Sequence, residues 1–162
     1  MPNWCDNSVT ITADKEKIDA IETALNSEDQ DFFTSVRPNP SGEWDYGWSV
    51  EHWGTKWSPS IHDFNREDDN TIWISFDTAW APPITLYEFM EKNGYSIQAV
   101  YHESGMGFVG KFENNYDYYY DYDIRDLSTI ESLPEELIEY GDLISQHEWY
   151  VEENGVDDES SN

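Results

Sequence analysis

Asn7-Ser8-Val9-Thr10-Ile11-Thr12-Ala13 reads as a half-buried strand. Val9 and Ile11 alternate with Ser8, Thr10 and Thr12, and β-branched side chains suit a pleated surface. Asp14 stands next as an N-cap, with Glu16 in the first turn to complement the helix dipole. Ile18, Ile21 and Leu25 then recur at i, i+3 and i+7, flanked by Ala20 and Ala24. That spacing predicts an amphipathic helix ending near Asn26. The chain therefore begins with a β-α step.

The remaining elements extend this step. Residues 26–59 hold the loop Arg37-Pro38-Asn39-Pro40-Ser41-Gly42 and four tryptophans, Trp44, Trp48, Trp53 and Trp57. Short helical turns fit their spacing better than a strand does. Residues 61–66 and 71–77 form a hairpin around the acidic turn Glu67-Asp68-Asp69-Asn70. Ile72, Ile74 and Phe76 alternate cleanly in its second arm, whereas Ile61 and Phe64 do not in its first. Pro82-Pro83 opens a second helix with Leu86, Phe89 and Met90 on its apolar face, and Asn93-Gly94 closes it. Residues 95–103 and 105–113 are strands joined by a tight Ser104-Gly105 turn. The order β-α-β-β-α-β-β predicts an α+β fold. It is a ferredoxin-like split βαββαβ antiparallel sheet with one added strand and both helices on one face.

After Glu113 the composition shifts. Residues 113–162 carry 16 acidic residues and one basic residue, whereas residues 1–112 carry 19 and 7. The expected organisation is a domain over 1–113, an acidic Tyr/Asp-rich helical appendage over 114–153, and a disordered tail over 154–162. Ser132-Leu133-Pro134-Glu135 reads as a capping box for a helix near 133–146. Leu137, Ile138 and Ile144 form its apolar edge, interrupted by Gly141, and Trp149, Tyr150 and Val151 dock again.

Charge narrows the function classes. With 35 acidic and 8 basic residues in 162, the formal net charge is −27. Binding a nucleic-acid backbone directly requires the opposite sign, and so does an anionic membrane surface. No apolar run reaches the roughly 20 residues of a membrane span, and the first residues do not read as a signal peptide. Cys5 is the one cysteine, which excludes an internal disulfide. The expected location is the cytoplasm, the host's if a phage encodes the protein.

Five separated motifs carry a resemblance. They are Met1-Pro2-Asn3-Trp4-Cys5, Arg37-Pro38-Asn39-Pro40, Trp53-Gly54-Thr55-Lys56-Trp57, Phe76-Asp77-Thr78-Ala79-Trp80-Ala81-Pro82-Pro83 and Glu103-Ser104-Gly105-Met106-Gly107-Phe108-Val109-Gly110. In this order they resemble the YubB-like ferredoxin-like domain family of phage and plasmid proteins, over about residues 1–113. The resemblance implies the ferredoxin-like fold and a mobile-element origin, and no particular activity. The acidic continuation departs from the family's core pattern.

Candidate chemistry is sparse. His52, His62, His102 and His147 show no metal-ligand spacing, so no metal and no cofactor are expected. His102-Glu103 beside Asp77 could form an acid/base pair, but with so many carboxylates such proximity also arises by chance. The glycines of Gly105-Met106-Gly107-Phe108-Val109-Gly110 have the spacing of a nucleotide loop but precede a strand, where a dinucleotide site needs a helix. Trp53, Lys56, Trp57 and Trp80 could hold a nucleotide or another aromatic ligand. The alternative is that the tryptophans simply fill the core.

The most distinctive stretch is Tyr116-Asp117-Tyr118-Tyr119-Tyr120-Asp121-Tyr122-Asp123. Tyrosine supplies rigid contact area. Alternate residues of a strand lie roughly 6.6 Å apart, close to the phosphate spacing of a DNA strand. These residues, with Glu135, Glu136, Glu139 and Asp142, are the expected partner-facing surface. The leading expectation is a non-enzymatic acidic binding protein. It would mimic nucleic-acid charge to inhibit a host DNA-acting or defence protein through its basic surface. The alternative is a regulatory domain that binds a small ligand in the Trp-rich segment. A solvated acidic loop is the plainer reading of the same residues.

Overall fold

The computed structural model describes residues 3–155. Met1 and Pro2 of the first motif lie outside them, as do residues 156–162 of the expected tail. The fold is α+β: an open, six-stranded antiparallel sheet with seven helices among the described residues. Chain order gives β1 (Trp4–Thr12), α1 (Lys15–Leu25), α2 (Phe32–Val36), α3 (Tyr46–His52), β2 (Ser60–Asp68), β3 (Thr71–Ala79) and α4 (Ile84–Lys92). Then follow β4 (Ser96–Glu103), β5 (Phe108–Glu113), β6 (Tyr116–Asp121), α5 (Leu127–Glu131), α6 (Glu135–Gly141) and α7 (Leu143–Asn154). The strands lie in the order β2-β3-β1-β4-β5-β6, so β2 and β6 are the edges.

The first face carries the main core. Val9 and Ile11 of β1, Ile72, Ile74 and Phe76 of β3, and Ile97 and Ala99 of β4 point to it. Ile18, Ile21 and Leu25 of α1 cover these strands, together with Leu86, Tyr87 and Met90 of α4. Asp14 caps α1 as expected, its side chain accepting from the Lys17 amide at 3.1 Å. Phe32 and Phe33 of α2 pack edge-on to Phe76, 5.4 and 5.9 Å between ring centroids. Trp53, just after α3, joins them, so residues 26–59 wrap the core in two short helices.

Tyr87 is fully buried, and its hydroxyl has no hydrogen-bond partner among the described residues. Its ring packs on Phe112 at 5.4 Å. A buried orphan hydroxyl costs roughly 1–3 kcal/mol. Tyr87→Phe keeps the ring and removes the oxygen, so it is expected to stabilise the fold by about 1 kcal/mol. Urea unfolding checks this. A midpoint at or below that of the parent would show that the hydroxyl is satisfied in solution.

The second face corrects one expectation. The acidic stretch expected to be an appendage begins with a strand of the same sheet: β6 pairs with β5 from Glu113↔Tyr116 to Phe108↔Asp121. Asn114 and Asn115 make the turn between them, both in left-handed conformation at φ 56 and 60°, as a two-residue hairpin requires. The two expected helices, α1 and α4, do share the first face, but the second face is covered as well. Val100 and Val109, pointing away from the main core, are covered by Ile130, Leu133, Leu137 and Leu143 of the C-terminal segment. Apolar residues at successive positions, Ala99-Val100 in β4 and Phe108-Val109 in β5, give these strands two apolar faces, and both need cover.

Smaller differences concern boundaries. The helix expected near 133–146 is two helices, broken at Asp142, whose φ is 53°. The capping-box reading fails because Pro134 is the N-cap of α6, while the Ser132 hydroxyl donates back to the Thr129 carbonyl. The Ser104-Gly105 turn is a longer loop running to Gly107, whose φ is 81°. The Glu103 carboxylate accepts from the amides of Gly105 and Met106 within this loop. Asn154, expected in the tail, is the last residue of α7.

Candidate functional site

The second face carries a row of ionisable side chains that crosses four strands. Asp6 of β1 lies opposite Asp77 of β3 on one side and opposite His102 of β4 on the other. Beyond Asp77, the pairing of β2 with β3 shifts register between Ile61 and Asp63. His62 occupies that irregularity, and its Nε2 lies 3.0 Å from Asp77 Oδ1. The row therefore reads His62, Asp77, Asp6, His102. Donor atoms of Asp6, His62 and Asp77 all lie within 4.8 Å of one another.

The C-terminal helices close over the His102 end. Tyr140 of α6 donates to Asp6 Oδ2 at 3.2 Å, and His102 Nε2 lies 2.7 Å from the Tyr122 hydroxyl. Gly141 permits this approach: a Cβ there would sit 3.3 Å from His102 Nδ1 and 2.9 Å from Leu143 Cδ2. Burial raises the Asp6 pKa. The Tyr140 hydrogen bond opposes that rise, and the charge of Asp77 adds to it. Burial lowers the His102 pKa, against the pull of Asp6 and Glu103. Tyr122 is pushed up to about 12, by burial first and then by Glu103. Next to His102 opens a cleft of about 380 Å³, lined by Tyr122, Ile124, Gln146, Trp149 and Tyr150 among others. Trp149 is 61% exposed at its mouth.

No family model, curated protein or solved structure matches this chain. The likeness to the YubB-like family rests on its five motifs alone.

The acidic strand is arranged differently from a bare row of carboxylates. Asp117 lies on the first face, half-buried, and accepts a hydrogen bond from the buried Tyr101 hydroxyl. Burial raises its pKa, while that hydrogen bond lowers it. Asp121 accepts from the Tyr119 hydroxyl at 2.9 Å. Asp123 lies beyond the strand and holds Arg125 at 2.9 Å, which keeps its carboxyl below the usual range. Asp117 and Asp121 are four residues apart, so roughly 13 Å separates them along the strand. That is twice the expected phosphate-like interval. Tyr120 and Tyr122 pack on the second apolar cluster, leaving Tyr116 and Tyr119 as the large exposed rings of the strand. Glu135, Glu136, Glu139 and Asp142 all point to solvent.

Of the Trp-rich candidates, the structure brings three together and separates one. Lys56 Nζ lies 4.7 Å from the Trp57 ring and 4.8 Å from the Trp80 ring. The chain's own ammonium thus fills the space between these rings. Trp53 is in the core, with its Nε1 donating to the Arg37 carbonyl at 3.0 Å.

Sequence reasoning missed the row on the second face. It paired His102 with Glu103, but neighbours on a strand point to opposite faces. Glu103 turns instead to the 104–107 loop, and Asp6 stands between His102 and Asp77. The signal that existed was the imperfect alternation of Ile61 and Phe64. It marks the bulge that carries His62.

Proposed function

We propose that this protein is an acidic binding protein that engages a basic protein surface, in competition with the nucleic acid that surface holds. The residues up to Glu113 would be its ferredoxin-like part. The motif resemblance to phage and plasmid proteins supports a host nucleic-acid-binding or defence protein as the partner. The observation that carries the reading is the state of the C-terminal carboxylates. Glu135, Glu136, Glu139 and Asp142 are exposed, and among the described residues Glu136 alone of the four has an ion-pair partner, Lys111 at 2.6 Å. Arg125, the one cation after Glu113, is tied to Asp123. The field of this side is therefore left for a partner.

The surface draws on α6 more than on β6. Asp117 is turned inward, with Tyr119 and Asp121 on its face of the strand, whereas Tyr116 is exposed on the face that α6 covers. The small-ligand reading of the Trp-rich segment is weaker, because Lys56 already sits between Trp57 and Trp80.

The test is a capture of partners from host lysate at low and high salt, followed by rate measurements with the purified partner. Glu135→Gln, Glu139→Gln and Asp142→Asn together should slow association about tenfold at low salt and flatten its salt dependence. Tyr116→Ala should speed dissociation instead. An association rate and salt slope equal to the parent's in the charge variant would reject the proposal.

A further inference from the structure

We propose that Asp6, His62 and Asp77 form a binding site for a divalent transition metal ion, with Zn²⁺ favoured. The three ligands come from β1, β2 and β3, so the fold itself creates the site. The donor atoms lie within 4.8 Å of one another, and His62 Nε2 and Asp77 Oδ1 are already at 3.0 Å. Zinc bonds of about 2.0–2.2 Å to nitrogen and oxygen place tetrahedral donors roughly 3.3–3.6 Å apart. Small side-chain rotations bring the three donors to that spacing with no change in the sheet.

Two further features fit an ion. Asp6 and Asp77 are directly opposed across the β1–β3 ladder. Like charges in that relation are destabilising, and a bound cation removes the penalty. The bulge between Ile61 and Asp63 places an imidazole beside the pair. One imidazole with two carboxylates selects zinc, manganese or iron over calcium, which takes an all-oxygen shell. Tyr140 holds Asp6 at 3.2 Å, as the outer partners of metal ligands commonly do. His62 is about half exposed, so solvent reaches the fourth position of a three-ligand centre.

A chain this acidic attracts cations diffusely, so the experiment must separate one site from that background. The full chain is stripped with a chelator and titrated with Zn²⁺ in a large excess of Ca²⁺, by calorimetry and by NMR of the histidine ring protons. One equivalent of Zn²⁺ is expected to bind through the excess. His62 resonances should move, and those of His52 and His147 should not. His62→Gln and Asp77→Asn should each weaken this site at least about tenfold, since even outer-shell partners cost that much. Circular dichroism verifies their folding, and the wild-type NMR titration decides the matter without them. A His62 signal unmoved at one equivalent, or a stoichiometric site unchanged in His62→Gln, overturns the proposal.

Discussion

A chain ending at Glu113 is expected to lose cooperative unfolding. Such a chain keeps every strand and helix of the main core, yet it uncovers the second face. Val100 and Val109 lose the cover of Leu137 and Leu143, at roughly 1.5–3 kcal/mol for each aliphatic side chain left in water. Polar groups are stranded as well. Tyr101 loses Asp117, Asp6 loses Tyr140, and His102 loses Tyr122. Phe108 loses the Tyr119 ring that packs 5.0 Å from it. Against a total stability of about 5–15 kcal/mol, these losses are enough to melt fixed packing. Thermal scans should broaden, and a dye that binds exposed apolar surface should fluoresce. A sharp transition near that of the full chain would show instead that residues 3–113 stand alone.

Gly110→Ala should be the most damaging Gly→Ala change among the described glycines. Gly110 lies in β5 between Tyr101 of β4 and Tyr119 of β6. A Cβ there would strike the Tyr101 ring and hydroxyl and would stand 2.5 Å from the Tyr118 carbonyl oxygen. The ring can swing away only by giving up Asp117, and the carbonyl can move only by opening the β5–β6 ladder. Overpacking of this kind costs about 3 kcal/mol or more. In a chain of this length that lowers Tm by roughly 6–12 °C. Gly47→Ala is the internal comparison. It lies in α3, and its Cβ would meet only Asp45 Oδ2, at an ordinary 3.6 Å. There alanine should be neutral or better by up to about 1 kcal/mol. Equal stability of the two variants would show that Tyr101 and β6 do not hold the positions described.

The first two-thirds of this architecture was legible because apolar periodicity is a local signal. Val9 and Ile11, or Ile72, Ile74 and Phe76, declare an inward face without reference to anything distant. Ile18, Ile21 and Leu25 do the same for a helix. β6 was hidden because Tyr116–Asp121 contains no aliphatic residue. Its positions on the first face, Asp117, Tyr119 and Asp121, are polar. Asp117 is tolerated there only because Tyr101, far off in sequence, supplies a donor. The Asn114-Asn115 pair was a usable hairpin signal within a stretch that read as low complexity. The row His62, Asp77, Asp6, His102 was out of reach for a different reason. It depends on the register of four strands and on one bulge. A shift of a single residue in any pairing would turn those side chains to the other face.

An open sheet has two edges, and each offers unpaired amides and carbonyls to any strand that arrives. On one side β2 breaks its register twice and sets Asp63, Arg66, Glu67 and Asp68 along its length. On the other, β6 carries Asp117 and Asp121 on a single side. A second copy docking edge to edge would have to lay carboxylate beside carboxylate or follow a bent strand. The acid on these margins thus has a use whatever the protein binds. It halts growth of the sheet at six strands and keeps crowded copies from joining into fibres.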